Sequence, residues 1–104
     1  MQQNKVYALL GLAARGRNVV SGEFQTETAV KSGTAELVIV AEDASDNTKK
    51  LFRDKCSYYE VPILTYGTKE ELGHAIGKVP RASVALTDAG LAKAVKKHLE
   101  ALEN

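Results

Sequence analysis

The residue types most often used in catalysis are scarce in this chain and lie in separate segments. It contains one cysteine, Cys56, and two histidines, His74 and His98. Cys56 lies on the apolar side of a predicted helix, where a lone cysteine usually packs as a small hydrophobic residue. His98 continues an apolar helical stripe and His74 falls at a predicted surface position, and neither shares a nucleophile–base or metal-ligand motif with the cysteine. We therefore predict no catalytic residue, no metal site and no bound cofactor.

An acidic cluster follows the most apolar predicted strand, residues 37–41. Glu42, Asp43 and Asp46 would lie at the carboxyl end of that strand, where open α/β sheets bind ligands. A phosphate-accepting aspartate would also need acidic residues from an earlier strand and a lysine after a later one, and neither is found. We therefore favour a solvated turn that supplies helix caps. A phosphotransfer role for Asp43 or Asp46 is the less favoured alternative.

A third candidate is the predicted start of the second helix, residues 21–26 (SGEFQT). A helix N-terminus presents unpaired N–H groups and a partial positive charge, which suit an anion such as phosphate. Gly22 would allow close approach to the backbone, the Gln25 amide both donates and accepts, and Phe24 offers a stacking face if it is exposed. The residues alone favour a plainer alternative, an ordinary helix start with Gln25 on the surface and Phe24 in the core.

The elements that would position these residues alternate between helix and strand. Apolar spacing and cap signals predict helices over residues 6–15, 21–32, 47–59, 68–77 and 87–102, and strands over residues 18–20, 37–41, 61–66 and 83–86. Helices between strands favour parallel pairing with right-handed connections. We predict an α/β fold, a three-layer α/β/α sandwich around a small four-stranded mixed sheet.

Bulk composition limits the possible partners. The 104 residues fit a single domain, 1–104, and 14 basic against 13 acidic residues give a net charge of +1. That balance argues against a polycation that coats nucleic acid without specificity. No apolar run is long enough for a membrane span, and an unpaired cysteine suits a reducing compartment. We expect a cytoplasmic monomer without membrane contact.

Four segments in this order and spacing resemble those of a known family. They are residues 22–26 (GEFQT), 38–43 (VIVAED), 69–73 (KEELG) and 79–85 (VPRASVA). The chain resembles the ribosomal protein family typified by L7Ae and L30e, which binds kink-turn RNA. Residues 7–13 (YALLGLA) and 54–59 (DKCSYY) are similar in particular to its small bacterial YlxQ-like members.

The resemblance implies a noncatalytic protein that binds a kink-turn or a similar bulged RNA, ribosomal RNA included. The helix start would enter the widened groove at tandem G·A pairs, with Gln25 on a guanine edge, and residues 79–83 would cap the bulged nucleotides. Nearby cations would take phosphates. The implied RNA-binding residues are Arg15, Arg17, Gly22, Glu23, Phe24, Gln25, Thr26, Lys31, Val79, Pro80, Arg81, Ala82 and Ser83.

Three residues depart from the family pattern. Phe24 replaces an Asn or Lys, Thr28 replaces a Lys, and Glu23 adds a negative charge that should repel phosphate. They leave open whether a standard kink-turn is accepted, and Phe24 could stack on a base instead. The alternative function is a protein-interaction module that docks on the ribosome or a translation factor through exposed apolar residues such as Phe24, Val79 and Pro80.

Overall fold

The computed structural model describes residues 4–102, along which helices and strands alternate as predicted. The elements are α1 Lys5–Arg15, β1 Val19–Ser21, α2 Glu23–Ser32, β2 Leu37–Val40, α3 Asp46–Tyr59, β3 Ile63–Thr65, α4 Lys69–Ala75, β4 Ser83–Leu86 and α5 Ala89–Leu102. None of these helices is both long and apolar enough to cross a membrane.

The sheet is mixed, with strand order β1-β4-β2-β3. β2 and β3 are parallel, whereas β4 runs antiparallel to both β1 and β2. The predicted mixed sheet is confirmed, but parallel pairing holds only for the pair joined through α3. The chain after the seven-residue α4 folds back along that helix, and the Arg81 N–H donates to the Lys69 C=O at 2.9 Å. β4 therefore begins at the edge where β3 ends, and this reversal makes β4 antiparallel to β2.

Helices cover both faces of the sheet, which confirms the three-layer sandwich. α2 and α3 pack together on one face, and α1 packs against α4 and α5 on the other. The two central strands, β2 and β4, are buried along their whole length. Their continuous apolar sequences follow from this double coverage. The largest fully buried side chains include Phe52, Leu10 and Leu72.

Side-chain caps fix where several helices begin. The Ser45 hydroxyl accepts from the Thr48 N–H at the start of α3, and Thr68 forms a capping box with Glu71 at the start of α4. Asp88 caps α5 through the Leu91 N–H at 2.9 Å. The apolar spacing of residues 47–59 also predicts that Tyr59 is buried, and this prediction is wrong. Tyr59 is 40% exposed, because it ends α3 and its ring packs edge-on against the exposed Tyr58 ring.

Candidate nucleic-acid interface

The two segments singled out in the sequence meet at one edge of the sheet. Antiparallel pairing places Ser21, the last residue of β1, opposite Val84 near the start of β4. The Gly22 N–H donates to the Ser83 C=O at 3.0 Å, and Arg81 Nε donates to Ser21 Oγ at 3.0 Å. Residues 21–26 and 79–83 therefore form one continuous surface, called here the α2–β4 surface.

Gly22 makes the sharp turn from β1 into α2. Its φ is +89°, a conformation that residues with a side chain rarely adopt. The first hydrogen bond of α2 runs from the Thr26 N–H to the Gly22 C=O at 3.0 Å. The N–H groups of the three preceding residues, 23–25, therefore lie ahead of the helical ladder and are available to an acceptor outside the helix. The turn provides the donor cluster that the sequence predicted.

Two large apolar side chains are exposed on this surface. Phe24 is 81% exposed and Val79 is 66% exposed. Gln25 and Glu23 are exposed beside Phe24, as is Pro80 beside Val79. The alternative that placed Phe24 in the core is wrong, and its ring is free to stack.

Two members of the predicted set cannot reach a ligand through their side chains. Thr26 and Ser83 are fully buried. Neither hydroxyl has a hydrogen-bond partner within residues 4–102. The structure thus contradicts a side-chain contact by either residue with an RNA on the surface. Thr26 is buried because it lies on the face of α2 that packs against β1 and β4.

Two predicted phosphate ligands, Arg17 and Lys31, lie away from the α2–β4 surface, contrary to expectation. Arg17 precedes β1 and lies at the end of that strand opposite Ser21, where the Asn18 C=O accepts from the Thr87 N–H at 2.9 Å. Arg15 ends α1, and its side chain lines a groove with His74 and Ala75 of α4. Lys31 lies at the far end of α2 and pairs with Glu27 at 3.2 Å. Closeness in sequence to residues 21–26 gave a wrong estimate of closeness in space.

Other residues at the α2–β4 surface were missed in the sequence. Lys69 begins α4 and is bonded through its carbonyl to Arg81, and Lys78 directly precedes the 79–83 loop; both side chains are exposed. Gly73 lets this loop lie against α4, because a Cβ there would overlap the Val79 carbonyl and approach the Pro80 Cα to 2.9 Å. The glycine in the middle of a helical segment was the available signal.

The acidic turn is confirmed as a turn that supplies caps. Glu42 Oε2 accepts from the Gly67 N–H at 3.3 Å, and Asp43 Oδ1 accepts from the Lys69 N–H at 2.8 Å. These carboxylates bind neighbouring backbone and hold the start of α4. In the described part of the chain, no three His, Cys, Asp or Glu side chains converge as a metal would require.

The cysteine and the histidines lie on opposite faces of the sheet. Cys56 is on α3, whereas His74 is on α4 and His98 is on α5. Burial raises the pKa of the Cys56 thiol to about 11, so it is protonated at neutral pH and a poor nucleophile. Cys56 therefore packs as a core residue, as predicted.

A tyrosine from α1 holds the start of α4, on which the 79–83 loop rests. The Tyr7 hydroxyl donates to Glu71 Oε1 at 2.9 Å. This bond, together with the N–H of Thr68, holds the pKa of the Glu71 carboxyl below its usual range. Burial and the adjacent carboxylate raise the pKa of Tyr7 above its usual value. The pair stays in its bonded protonation states at neutral pH.

Fold and surface together define a small α/β/α protein whose unpaired helix donors, exposed apolar side chains and an arginine converge on one edge of the sheet. The chain belongs to the ribosomal protein L7Ae/L30e/S12e/Gadd45 family, whose model matches residues 4–96. The resemblance found in the sequence is confirmed.

Three similar proteins illustrate the relationship. The RNA-binding protein YlxQ of Bacillus subtilis is 48% identical over 86 residues, which cover 83% of this chain and 86% of that protein. The RNA-binding protein YlxQ of Enterococcus faecium is 41% identical over 98 residues, 94% of either chain. The structure of a 15.5kD RNA binding protein of Giardia lamblia superposes with a TM-score of 0.79 at 25% identity, covering 98% of this chain and 93% of its own.

Proposed function

We propose that this protein binds structured RNA through the α2–β4 surface and catalyses no reaction. The observation that carries the proposal is the junction itself. Two segments some 60 residues apart, each implied by the family resemblance to contact RNA, are joined by the Gly22–Ser83 and Arg81–Ser21 hydrogen bonds. Relatives at 48% and 41% identity are named RNA-binding proteins, which supports the same role here.

The exposed groups of this surface match the chemistry of an irregular RNA. The free N–H groups at the start of α2 suit phosphate oxygens, and the Gln25 amide suits a base edge. The rings and methyl groups of Phe24 and Val79 suit an unstacked base. Arg81, with Lys69 and Lys78 beside it, supplies positive charge. With a net charge of only +1, such a binder should depend on RNA shape more than on total charge.

The target we propose is a kink-turn or a closely related bulge, in ribosomal RNA or another RNA of the translation machinery. Family members read tandem G·A pairs with the start of this helix, and Gln25 would take the guanine contact here. Phe24 replaces a polar contact with a stacking face, so preference should shift toward RNAs that offer an unpaired base next to the G·A pairs. We expect the protein to act as a cytoplasmic monomer.

The test is a titration of a doubly labelled kink-turn duplex, followed by fluorescence transfer between the two ends. Binding should raise the transfer, because a kinked duplex brings its ends together. The control duplex has the bulge removed and the G·A pairs replaced by Watson–Crick pairs. A folded protein that binds neither duplex at low salt, or binds both equally, would contradict the proposal.

The side chain that should matter in this titration is Gln25. Gln25→Ala should weaken binding of the kink-turn by about 1–3 kcal/mol, because a base contact is removed. The matched control is Ser57→Ala, which truncates an exposed polar side chain near the far end of α3. Equal affinities for Gln25→Ala and the unaltered chain would remove Gln25 from the site.

The exposure of Phe24 and Val79 also favours a second candidate, a module that binds a ribosomal or translation protein. Exposed apolar side chains are common at protein interfaces. The two candidates separate in a pull-down from nuclease-treated lysate with the unaltered chain and with Phe24→Ala. A partner that is kept after RNA digestion and lost with Phe24→Ala supports the protein-binding module.

A further inference from the structure

Arg81 is held in place at both its backbone and its side chain. Its N–H donates to the Lys69 C=O at 2.9 Å, which fixes the loop to the start of α4. Its Nε donates to Ser21 Oγ at 3.0 Å, which fixes the guanidinium to the end of β1. Both Ser21 and Arg81 are half-buried, so water competes less for this bond than it would at an open surface.

The bond to Ser21 leaves most of the guanidinium available. An arginine carries five N–H donors, and Nε supplies only one of them. Within residues 4–102, no carboxylate pairs with Arg81, because the ion pairs found there all involve lysines. Among the described residues, the positive charge is therefore uncompensated and the donors on the two Nη atoms are free, while the bond from Nε holds the plane of the group.

We infer that Ser21 is a positioning residue, whose hydroxyl orients the Arg81 guanidinium so that its Nη donors are preset for an RNA phosphate. The inference rests on the proposed function and names a residue that the family signature does not include. A free arginine loses rotamer freedom when it binds, and that loss weakens binding. In this protein, the loss occurs when the chain folds. A lysine could not take the same role, because it has no planar fork of donors.

The position of Ser21 explains why this residue can do so. It ends β1, and the next residue begins the turn whose N–H bonds to Ser83. The hydroxyl thus lies between the helix start and the loop, and a shift of either segment would change the direction of the guanidinium. Arg81 and the N–H groups of α2 are set relative to each other before RNA arrives.

The experiment is a double-mutant cycle on affinity for the kink-turn RNA, measured by fluorescence anisotropy at several salt concentrations. Ser21→Ala should weaken binding about three- to tenfold, because Arg81 must then be ordered on binding. The slope of log affinity against log salt should not change, since the phosphate contact still forms. Arg81→Gln should lower that slope by about one. Adding Ser21→Ala to Arg81→Gln should cause no further loss.

Conservative variants separate positioning from a purely structural role. Ser21→Thr keeps the hydroxyl and should bind like the unaltered chain. Arg81→Lys keeps the charge and the salt slope, but should lose affinity and become insensitive to Ser21→Ala. Thermal melting of each variant, measured in parallel, shows whether it is folded. If Ser21→Ala is not folded, the test is the affinity of Arg81→Lys alone, and binding equal to that of the unaltered chain would overturn the inference.

Two results would overturn the inference alone. One is that Ser21→Ala and the unaltered chain bind the kink-turn RNA with the same affinity. The other is an equal loss from Ser21→Ala whether Arg81 is present or replaced, which would show a role in the fold and not through the guanidinium. Failure of the unaltered chain to bind the kink-turn RNA would instead overturn the proposed function, and this inference with it.

Discussion

Two turns at the same edge of the sheet use their polar side chains in opposite ways. In the acidic turn, residues 42–45, each of Glu42, Asp43 and Ser45 accepts a hydrogen bond from a backbone N–H. In the 79–83 loop, Val79 is exposed and Arg81 keeps most of its donors free. The acidic turn has the more reactive composition, yet its groups are used to build the fold.

This difference shows why residue type alone is a poor guide to a functional site. A carboxylate that accepts a backbone N–H contributes to stability and offers less to a ligand. A cation held by a neutral hydroxyl keeps its charge for a partner. Mutations separate these roles, since changes that disturb the 79–83 loop should weaken RNA binding, whereas changes in the acidic turn should lower the stability of the fold.

The largest effect is expected from Gly73→Ala. The added methyl group would overlap the Val79 carbonyl and lie 2.9 Å from the Pro80 Cα, so the 79–83 loop must move away from α4. We expect RNA affinity to fall by roughly tenfold or more, equal to about 1.4 kcal/mol, and the free energy of unfolding to fall by about 1–3 kcal/mol. RNA titration and urea denaturation measure the two quantities.

The matched control for this change is Gly90→Ala, which adds the same methyl group to α5. Its new Cβ would approach only a side-chain oxygen, Asp88 Oδ2, at 3.3 Å. It should leave RNA affinity unchanged and change stability by no more than about 1 kcal/mol, because alanine favours helix whereas the new Cβ crowds the oxygen that caps the Leu91 N–H. Similar RNA affinities for both alanine variants would show that the position of the loop does not matter.

Phe24→Ala is expected to change RNA binding alone, so its combined effect on affinity and stability is smaller than that of Gly73→Ala. Loss of a stacked base should weaken RNA binding by about 1–3 kcal/mol. Stability should change by no more than about 0.5 kcal/mol, because the ring is 81% exposed. Tyr58→Ala is the control, since that ring is 79% exposed and lies near the far end of α3. An equal loss of affinity in both variants would argue against a specific stacking site.

The smallest effect is expected from Asp43→Ala, and on stability. It removes the acceptor of the Lys69 N–H and should lower the free energy of unfolding by about 1 kcal/mol. Asp43→Asn keeps an acceptor oxygen and should lose less. RNA affinity should stay the same or rise slightly in both variants, because a negative charge is removed near the site. A loss of RNA affinity with unchanged stability would assign the acidic turn to the interface.

Local signals in the sequence predicted most of this fold, because caps and apolar spacing act over a few residues. Thr68 with Glu71 and the apolar run of β2 are examples. The antiparallel direction of β4 could not be predicted, because it depends on the chain folding back along α4. The position of Arg17 could not be predicted for a similar reason, since the end of β1 that meets the 79–83 loop is set by the pairing of β1 with β4.

The candidate site was predicted in part. The resemblance supplied both segments, and the glycine at position 22 fits its φ of +89°. The hydrogen bond between Ser21 and Arg81 joins residues 60 apart in sequence. Serine and arginine each bond to many kinds of partner, so the sequence does not predict this pair. The burial of Thr26 and Ser83 could not be predicted either, because hydroxyl side chains occur both at the surface and in the interior.

The place of β4 in the sheet has a consequence for how the protein is made. Among residues 4–102, β4 is the last strand along the chain, but it lies between β1 and β2, and β1 pairs with no other strand there. A growing chain that has not yet released Ser83–Leu86 from the ribosome has no β1–β4 pair and no α2–β4 surface. RNA affinity should therefore appear only once β4 has left the ribosome, and in a single step, so that a chain that ends before Ser83 does not compete for the target.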